Sequence, residues 1–299
     1  GPKTVLENLQ RHSLDKSYKY ERLYRNLYNH DFYLLAYQNV YANKGAMTPG
    51  IDGLTLDGYG NERINNLIDT LKNRSYQPTP ARRRYIPKKN GKMRPLGIPS
   101  ANDKLVQEVV RMMLESIYEP SFSKYSHGFR PQRSCHTALL QIQHNFTGVK
   151  WFVEGDIKAY FDTIDHHVLI SILRRRIADE SFIDLIWKFL RAGYLENWQY
   201  NATFSGTPQG SGISPILANI YLNELDSYME EYKVEFDRGD ARRSNNEYTM
   251  RQSRYKRYVD KCKNNWTTMN EEEKANALTE QKRLRKEYQQ FPAHAPQDE

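Results

Sequence analysis

The residues best suited to chemistry lie in two short stretches of this 299-residue chain. The first is Trp151-Phe152-Val153-Glu154-Gly155-Asp156-Ile157-Lys158-Ala159-Tyr160-Phe161-Asp162, an apolar run that reads as a strand ending in the carboxylate of Asp156. The second is Gly206-Thr207-Pro208-Gln209-Gly210-Ser211-Gly212-Ile213-Ser214-Pro215. That loop can be neither a helix nor a central strand, and it feeds directly into the amphipathic run from Ile216 to Tyr232. A glycine-rich turn opening a helix presents free backbone N–H groups to something anionic or flat. A carboxylate at a strand end beside such a turn suits divalent-metal phosphoryl transfer, because Mg2+ takes hard oxygen ligands. A pair of metal ions would support in-line displacement, and it needs more than one carboxylate. Asp162 and Asp165 qualify by proximity only, and helix capping explains Asp165 more simply.

A third stretch, Arg82-Arg83-Arg84-Tyr85-Ile86-Pro87-Lys88-Lys89-Asn90-Gly91-Lys92-Met93-Arg94-Pro95-Leu96-Gly97-Ile98-Pro99, predicts a basic hairpin, since Asn-Gly joins two extended runs. A two-residue turn at Asn90-Gly91 would pair Lys88 with Met93 and turn Arg94 to the other face. A three-residue loop, Lys89-Asn90-Gly91 with Gly91 left-handed, would pair Lys88 with Lys92 and set Lys88, Lys92 and Arg94 on one face. The second register is the expected one. Three cations on one face repel, and a bound polyphosphate would offset that repulsion. A solvated edge hairpin guarded by lysines is the other reading. Arg130 and Arg133 flank a helix start at Ser134, where either a phosphate or plain solvent could face them.

The elements that must hold these stretches are mostly helices. Apolar spacing predicts helices over residues 15–43, Tyr59 to Asn73, Phe182 to Tyr194 and Ile216 to Tyr232. Ser100 with Asp103 begins another that Glu119-Pro120 stops, Ser134 caps one through Phe146, and Asp165 caps one through Ile172. His166-His167 would be adjacent first-turn residues near the surface, and neighbours on a helix do not face each other as metal ligands do. Pro49-Gly50 marks a turn without the Gly-Lys-Ser/Thr of a nucleotide P-loop. Beyond residue 237 the chain turns charged, with helical segments such as Glu271 to Gln289 on an insertion or basic arm.

Composition narrows the partners. The chain has 44 Lys and Arg against 36 Asp and Glu, a net charge of +8, which favours polyanions. Its 22 tyrosines add aromatic faces that can stack on unpaired bases, although most serve packing. Cys135 and Cys262 show no ligand or disulfide spacing, which points to a reducing cytosol. No apolar run reaches membrane length, and no secretory signal opens the chain. Gly1-Pro2 looks like an expression scar, so the sequence ends need not be natural ones.

Taken in order, these blocks resemble the reverse transcriptase domain of bacterial group II intron-encoded proteins, the intron maturases, over most of residues 20–235. Tyr85-Ile86-Pro87-Lys88 with Arg94-Pro95-Leu96-Gly97-Ile98-Pro99 is similar to the first fingers block, and His127-Gly128-Phe129-Arg130-Pro131 to the second. Glu154-Gly155-Asp156-Ile157 with Phe161-Asp162 resembles polymerase motif A, and Thr207-Pro208-Gln209-Gly210 begins motif B. Asn43-Lys44-Gly45-Ala46 and Pro49-Gly50-Ile51-Asp52-Gly53 resemble the N-terminal extension of these enzymes. The resemblance implies an α+β right-hand polymerase fold. Its fingers would be helix-rich with a β-hairpin, occupying residues 1–150 with the extension at 15–80 and the hairpin at 82–99. A partial palm with a small antiparallel sheet would follow at 151–236, and a charged helical arm at 237–299.

The same resemblance implies roles. Asp156 would be the catalytic metal ligand, joined by the backbone carbonyl of Ile157, at a Mg2+ site of two ions. Lys88 and Arg94 would hold the incoming dNTP, Phe161 would exclude a ribose 2′-OH, and Gln209 and Gly210 would line the pocket. Arg82, Arg83, Arg84, Arg130 and Arg133 would meet the RNA template. Expected partners are group II intron RNA, an RNA template with its DNA primer and dNTP, in the bacterial cytoplasm. A homodimer is compatible with it, and no membrane is involved. One block departs from the pattern: the family's Tyr-Ala-Asp-Asp is absent. Arg257-Tyr258-Val259-Asp260-Lys261 imitates it in a Lys/Arg-rich helical stretch and lacks the second acid. The chain is thus expected to be a truncated fingers and partial palm, inactive in polymerisation by itself. Two other readings are a non-catalytic RNA-binding splicing module and a retron or diversity-generating reverse transcriptase. The extension block and Gly-Ser-Gly-Ile-Ser-Pro argue against the last.

Overall fold

The computed structural model describes residues 1–43, 45–89, 91–146, 149, 152–197, 199–203, 205–206, 210–236 and 244–294. They fall into two compact units, Gly1–Glu231 and Tyr232–Glu299.

In the first unit, α1 (Pro2–Ser13) begins with proline in its opening turn, where the missing N–H costs nothing. The helix expected over 15–43 is divided into a 3-10 turn at Tyr24–Tyr28 and α2 (His30–Tyr41). Asn29 divides them: its extended backbone leaves the helix, and its side chain caps α2 by accepting from the Asp31 N–H. α3 (Asn61–Lys72) follows as the sequence indicates. The hairpin of β1 (Ala81–Pro87) and β2 (Met93–Ile98) then leads into α4 (Ala101–Tyr118), the central helix, which packs against both α1 and α2.

α4 is fixed at its N-terminus by a dense set of polar contacts. Ser100 caps it, and the buried Asp103 carboxylate accepts from the Tyr76 hydroxyl at 2.5 Å and the Thr79 N–H at 3.0 Å. Those bonds set the approach of the chain into β1. The next residue, Lys104, donates its ammonium to the carbonyls of Gly45 and Ala46, both at 3.2 Å, and of Thr48 at 2.6 Å. Lys104→Met leaves those three acceptors without their donor. The expected cost is about 1–3 kcal/mol, read as a lower Tm and as proteolytic cutting near residues 45–50 before global unfolding. Unchanged melting and cutting would refute that role.

The hairpin takes the three-residue loop. Pro87 pairs with Met93 and Ile86 with Arg94, the Lys88 N–H donates to the Lys92 carbonyl at 2.7 Å, and Gly91 is left-handed at φ +79°. Asn90 lies outside the described residues. Downstream come α5 (Cys135–Asn145), the single turn α6 (Tyr160–Thr163), α7 (His166–Arg174) and α8 (Glu180–Arg191). α8 stops short of the expected Tyr194, because Gly193 turns left-handed at φ +74°. A second hairpin, β3 (Tyr194–Glu196) and β4 (Gln199–Asn201), completes a four-stranded sheet of order β2-β1-β3-β4. β1 pairs with β3 in parallel, so the sheet is mixed rather than antiparallel throughout.

The strand expected before Asp156 does not form. Residues 152–157 have no ladder partner, and Val153 is 92% exposed. An isolated strand leaves its backbone polar groups unpaired and its apolar side chains in water, so sequence propensity alone cannot hold it. α9 (Ser214–Phe236) runs from the glycine-rich turn past the division between units.

The second unit is a helical pair, α10 (Asn246–Asn265) and α11 (Glu271–Gln289). Cys262, Ala277 and Leu284 are buried there, Arg251 pairs with Glu287, and Tyr288 meets Tyr248 and Tyr255 edgewise or tilted. Arg257 to Lys261 sit within α10, so that stretch is helical and not a metal-binding hairpin.

Candidate functional site

Three elements far apart in sequence meet around the glycine-rich turn. At its entry, the Gly206 N–H donates to the Ile164 carbonyl at 2.8 Å, and the His166 ring nitrogen Nε2 bonds the Gly206 carbonyl at 2.6 Å. A Cβ on Gly206 would lie 2.6 Å from the Phe161 carbonyl oxygen. The Ser205 hydroxyl adds a bond to the Asp162 carbonyl at 3.1 Å. The turn is therefore seated on α6, the helical turn that carries Phe161. At its exit, Gly210 has φ +101°, and a Cβ there would lie 2.6 Å from the Gly97 carbonyl and 2.7 Å from Leu96 Cδ1. Only glycine lets the turn approach β2 that closely. The buried Gln107 side chain on α4 then accepts from the Ser211 hydroxyl at 2.9 Å and the Gly212 N–H at 3.1 Å.

The hairpin register gives this contact a direction. Leu96, Arg94 and Lys92 alternate along one strand, and Lys88 stands opposite Lys92, so all four share one face. Gly210 packs on that same face through Leu96. Lys88 and Arg94 are both exposed there. The structure thus brings Lys88, Arg94, Gly210 and Phe161 onto elements that touch through the turn. Gln209 lies outside the described residues, as do Thr207 and Pro208.

Other expected site residues stand elsewhere. Asp156 and Ile157 are exposed on the unpaired segment, so the Asp156 carboxylate does not end a strand. Asp165 is the cap of α7, accepting from the Val168 N–H at 3.0 Å, and that bond is the main cause of its lowered pKa. Arg130 is buried at 8% exposure, not presented to a template. Its guanidinium grips Glu119 through Nε and Nη2 and donates to the carbonyls of Ser123 and Ser126 at 2.7 and 2.8 Å. Five donors in a fixed fork suit such internal bracing. Arg133 donates to the Lys124 carbonyl at 2.8 Å and stays partly exposed. Arg83 lies 3.7 Å over the Tyr194 ring, joining β1 to β3, whereas Arg84 is exposed and Arg82 half-buried.

Sequence reasoning missed Gln107, singled out Gly206 only as part of the turn, and placed His166 at the surface. Gln107 had a signal: it is a polar residue on the helix face that also carries the apolar Val110 and Leu114. His166 is buried rather than near the surface, because the carbonyl of Gly206 and the Trp187 ring close over it.

Comparison with known proteins decides what this arrangement belongs to. The reverse transcriptase (RNA-dependent DNA polymerase) family profile matches residues 86–284. The chain belongs to the reverse transcriptase family. It is 51% identical over 290 residues, 96% of its length, to the group II intron-encoded protein LtrA of Lactococcus lactis subsp. cremoris, of which it covers 48%. It is 50% identical over 237 residues to an uncharacterised 91 kDa protein in the cob intron of Schizosaccharomyces pombe, covering 78% of this chain and 29% of that one. A putative COX1/OXI3 intron 2 protein of Saccharomyces cerevisiae is 45% identical over 208 residues, 69% of this chain and 24% of its own. The reverse transcriptase chain thus spans about half the length, or less, of the curated relatives it matches.

The family implies a divalent cation requirement. Among the described residues, no group of three or more His, Cys, Asp or Glu stands close enough to hold a metal ion. Asp156 with the Ile157 carbonyl supplies one exposed carboxylate, which does not fit a two-ion site. Among the described residues no helix is long and apolar enough to cross a membrane.

Proposed function

We propose that this chain is the nucleotide-handling half of an RNA-directed DNA polymerase from a group II intron maturase. The whole protein binds intron RNA, assists splicing and supports intron mobility. The observation that carries this reading is the docking of Gly210 on the hairpin face that holds Lys88, Lys92 and Arg94. A triphosphate placed against that face would meet Lys88 and Arg94 as charge-assisted donors. Phe161, anchored to the same turn through Gly206, would bound the sugar and exclude a 2′-OH. The similarity to intron proteins favours this over a retron-type enzyme.

The test uses the chain as it stands. Salt-sensitive binding of structured intron RNA is expected, since each cation that neutralises a phosphate releases counterions. Primer extension with Mg2+ and dNTPs is expected to be negligible. Robust extension abolished by Asp156→Asn would overturn the half-site assignment. Equal affinity for intron RNA and an unrelated duplex at every salt concentration would remove specific recognition.

A further inference from the structure

We propose that Phe129 is a stacking residue for an unpaired base of a bound RNA strand. The inference rests on the RNA-binding function above and adds a residue for which neither the hairpin nor the glycine-rich turn accounts. Phe129 has φ +55° and is 72% exposed. A bulky side chain in the left-handed region is an outlier, and such strain persists only where the surroundings impose it. Those surroundings are on both sides of it. His127 is held by Thr137 at 2.8 Å and Gln141 at 2.5 Å. The Gly128 carbonyl accepts from the Asn219 amide on α9 at 2.8 Å. Arg130 is buried and fully engaged, as described. The fold therefore spends rigid contacts to keep an apolar ring in water.

Packing does not explain the ring's position. Among the described residues its aromatic neighbour is Phe161, at 6.1 Å and 89°, and the ring stays mostly open. A nucleobase offers what the open surface lacks, a flat apolar face, and base–aromatic stacking tolerates any sequence. The surroundings suit a polyanion better than a protein partner. Tyr125 is also exposed on this loop, with the Lys124 ammonium 5.1 Å over its ring, and Arg133 lies at the loop's end. Aromatics interleaved with cations are the pattern of single-strand platforms. Contact with Phe161 places the stacked base next to the residue proposed to bound the nucleotide sugar.

The experiment is fluorescence anisotropy with labelled single-stranded RNA, and with the same strand fully paired, against the 299-residue chain. Phe129→Ala and Phe129→Asn are expected to weaken single-strand binding by about 5- to 100-fold. Phe129→Trp is expected to keep it. Duplex affinity and the salt slope stay unchanged, because no cation is removed. Asparagine tolerates the left-handed region, so Phe129→Asn is also expected to melt no lower than the unaltered chain. Affinity and stability then move independently, which a purely structural role would not produce. Single-strand affinity within about twofold of the unaltered chain for both variants would overturn the proposal and leave RNA binding intact. An equal loss on the duplex would overturn it too. Failure of the unaltered chain to bind any RNA at low salt would overturn both readings.

Discussion

Gly206→Ala is expected to unseat the glycine-rich turn from α6 and to destabilise the first unit by about 3 kcal/mol or more. Two effects combine there. The backbone is left-handed at φ +80°, which alanine adopts only under strain. The new Cβ would also lie 2.6–2.7 Å from the Phe161 carbonyl and the Asp162 backbone, atoms that cannot swing aside as a side chain could. The position is held on both sides, through Ile164 and His166, so relief requires breaking a bond. A domain of this size should lose roughly 6–12 °C in Tm. Gly212→Ala is the internal control: its Cβ would find nothing closer than the Gln107 side chain at 3.9 Å. Equal melting of the two variants would show that the turn is not clamped at Gly206.

Arg130→Ala comes next in size, at about 3–5 kcal/mol, the usual cost of removing one member of a buried ion pair. Glu119 loses its partner, and the Ser123 and Ser126 carbonyls lose their donors. Lysine should not rescue, since one ammonium cannot reproduce a fork that serves a carboxylate and two carbonyls. The deficit has a pH signature. Asp226 is already raised by burial first and by Glu230 second, with Arg130 opposing both. Without Arg130 its carboxyl rises further. An acid whose folded pKa exceeds its unfolded value is favoured in the folded state when protonated, so lowering the pH recovers part of the loss. Urea midpoints at neutral and mildly acid pH measure this, and a deficit that widens on acidification would contradict it. Weaker RNA binding by this variant, with an unchanged salt slope, would reflect the fold and not a lost phosphate contact.

The sequence carried the hairpin register, the caps at Ser100, Ser134 and Asp165, and the blocks that resemble the family. Each of these depends on local chemistry that tolerates no alternative, such as left-handed Gly91 or a serine facing open N–H groups. What it hid depends on distant neighbours. Arginine reads the same whether it meets solvent or Glu119, so Arg130 passed for a template contact. β3 and β4 are three residues each and draw their order from β1, which periodicity over 194–201 cannot register. The reading leaves residues 1–14 without an element, although proline favours the helix start that α1 makes there. The largest miss is the strand before Asp156. The family assignment consequently stands on the profile match and on the identity to intron-encoded proteins, not on the geometry around Asp156.

The parallel pairing of Ala81 with Tyr194 ties the hairpin to a strand synthesised much later. At ribosomal speeds, roughly a hundred intervening residues take about 5–20 s to emerge. Throughout that interval the outer edge of β1 is bare, an open invitation to a neighbouring nascent chain on the same message. The arginine run from Arg82 to Arg84 gives that edge a repulsive guard until its true neighbour arrives. Once β3 has docked, Arg83 turns from guard to clasp, its guanidinium lying over the Tyr194 ring.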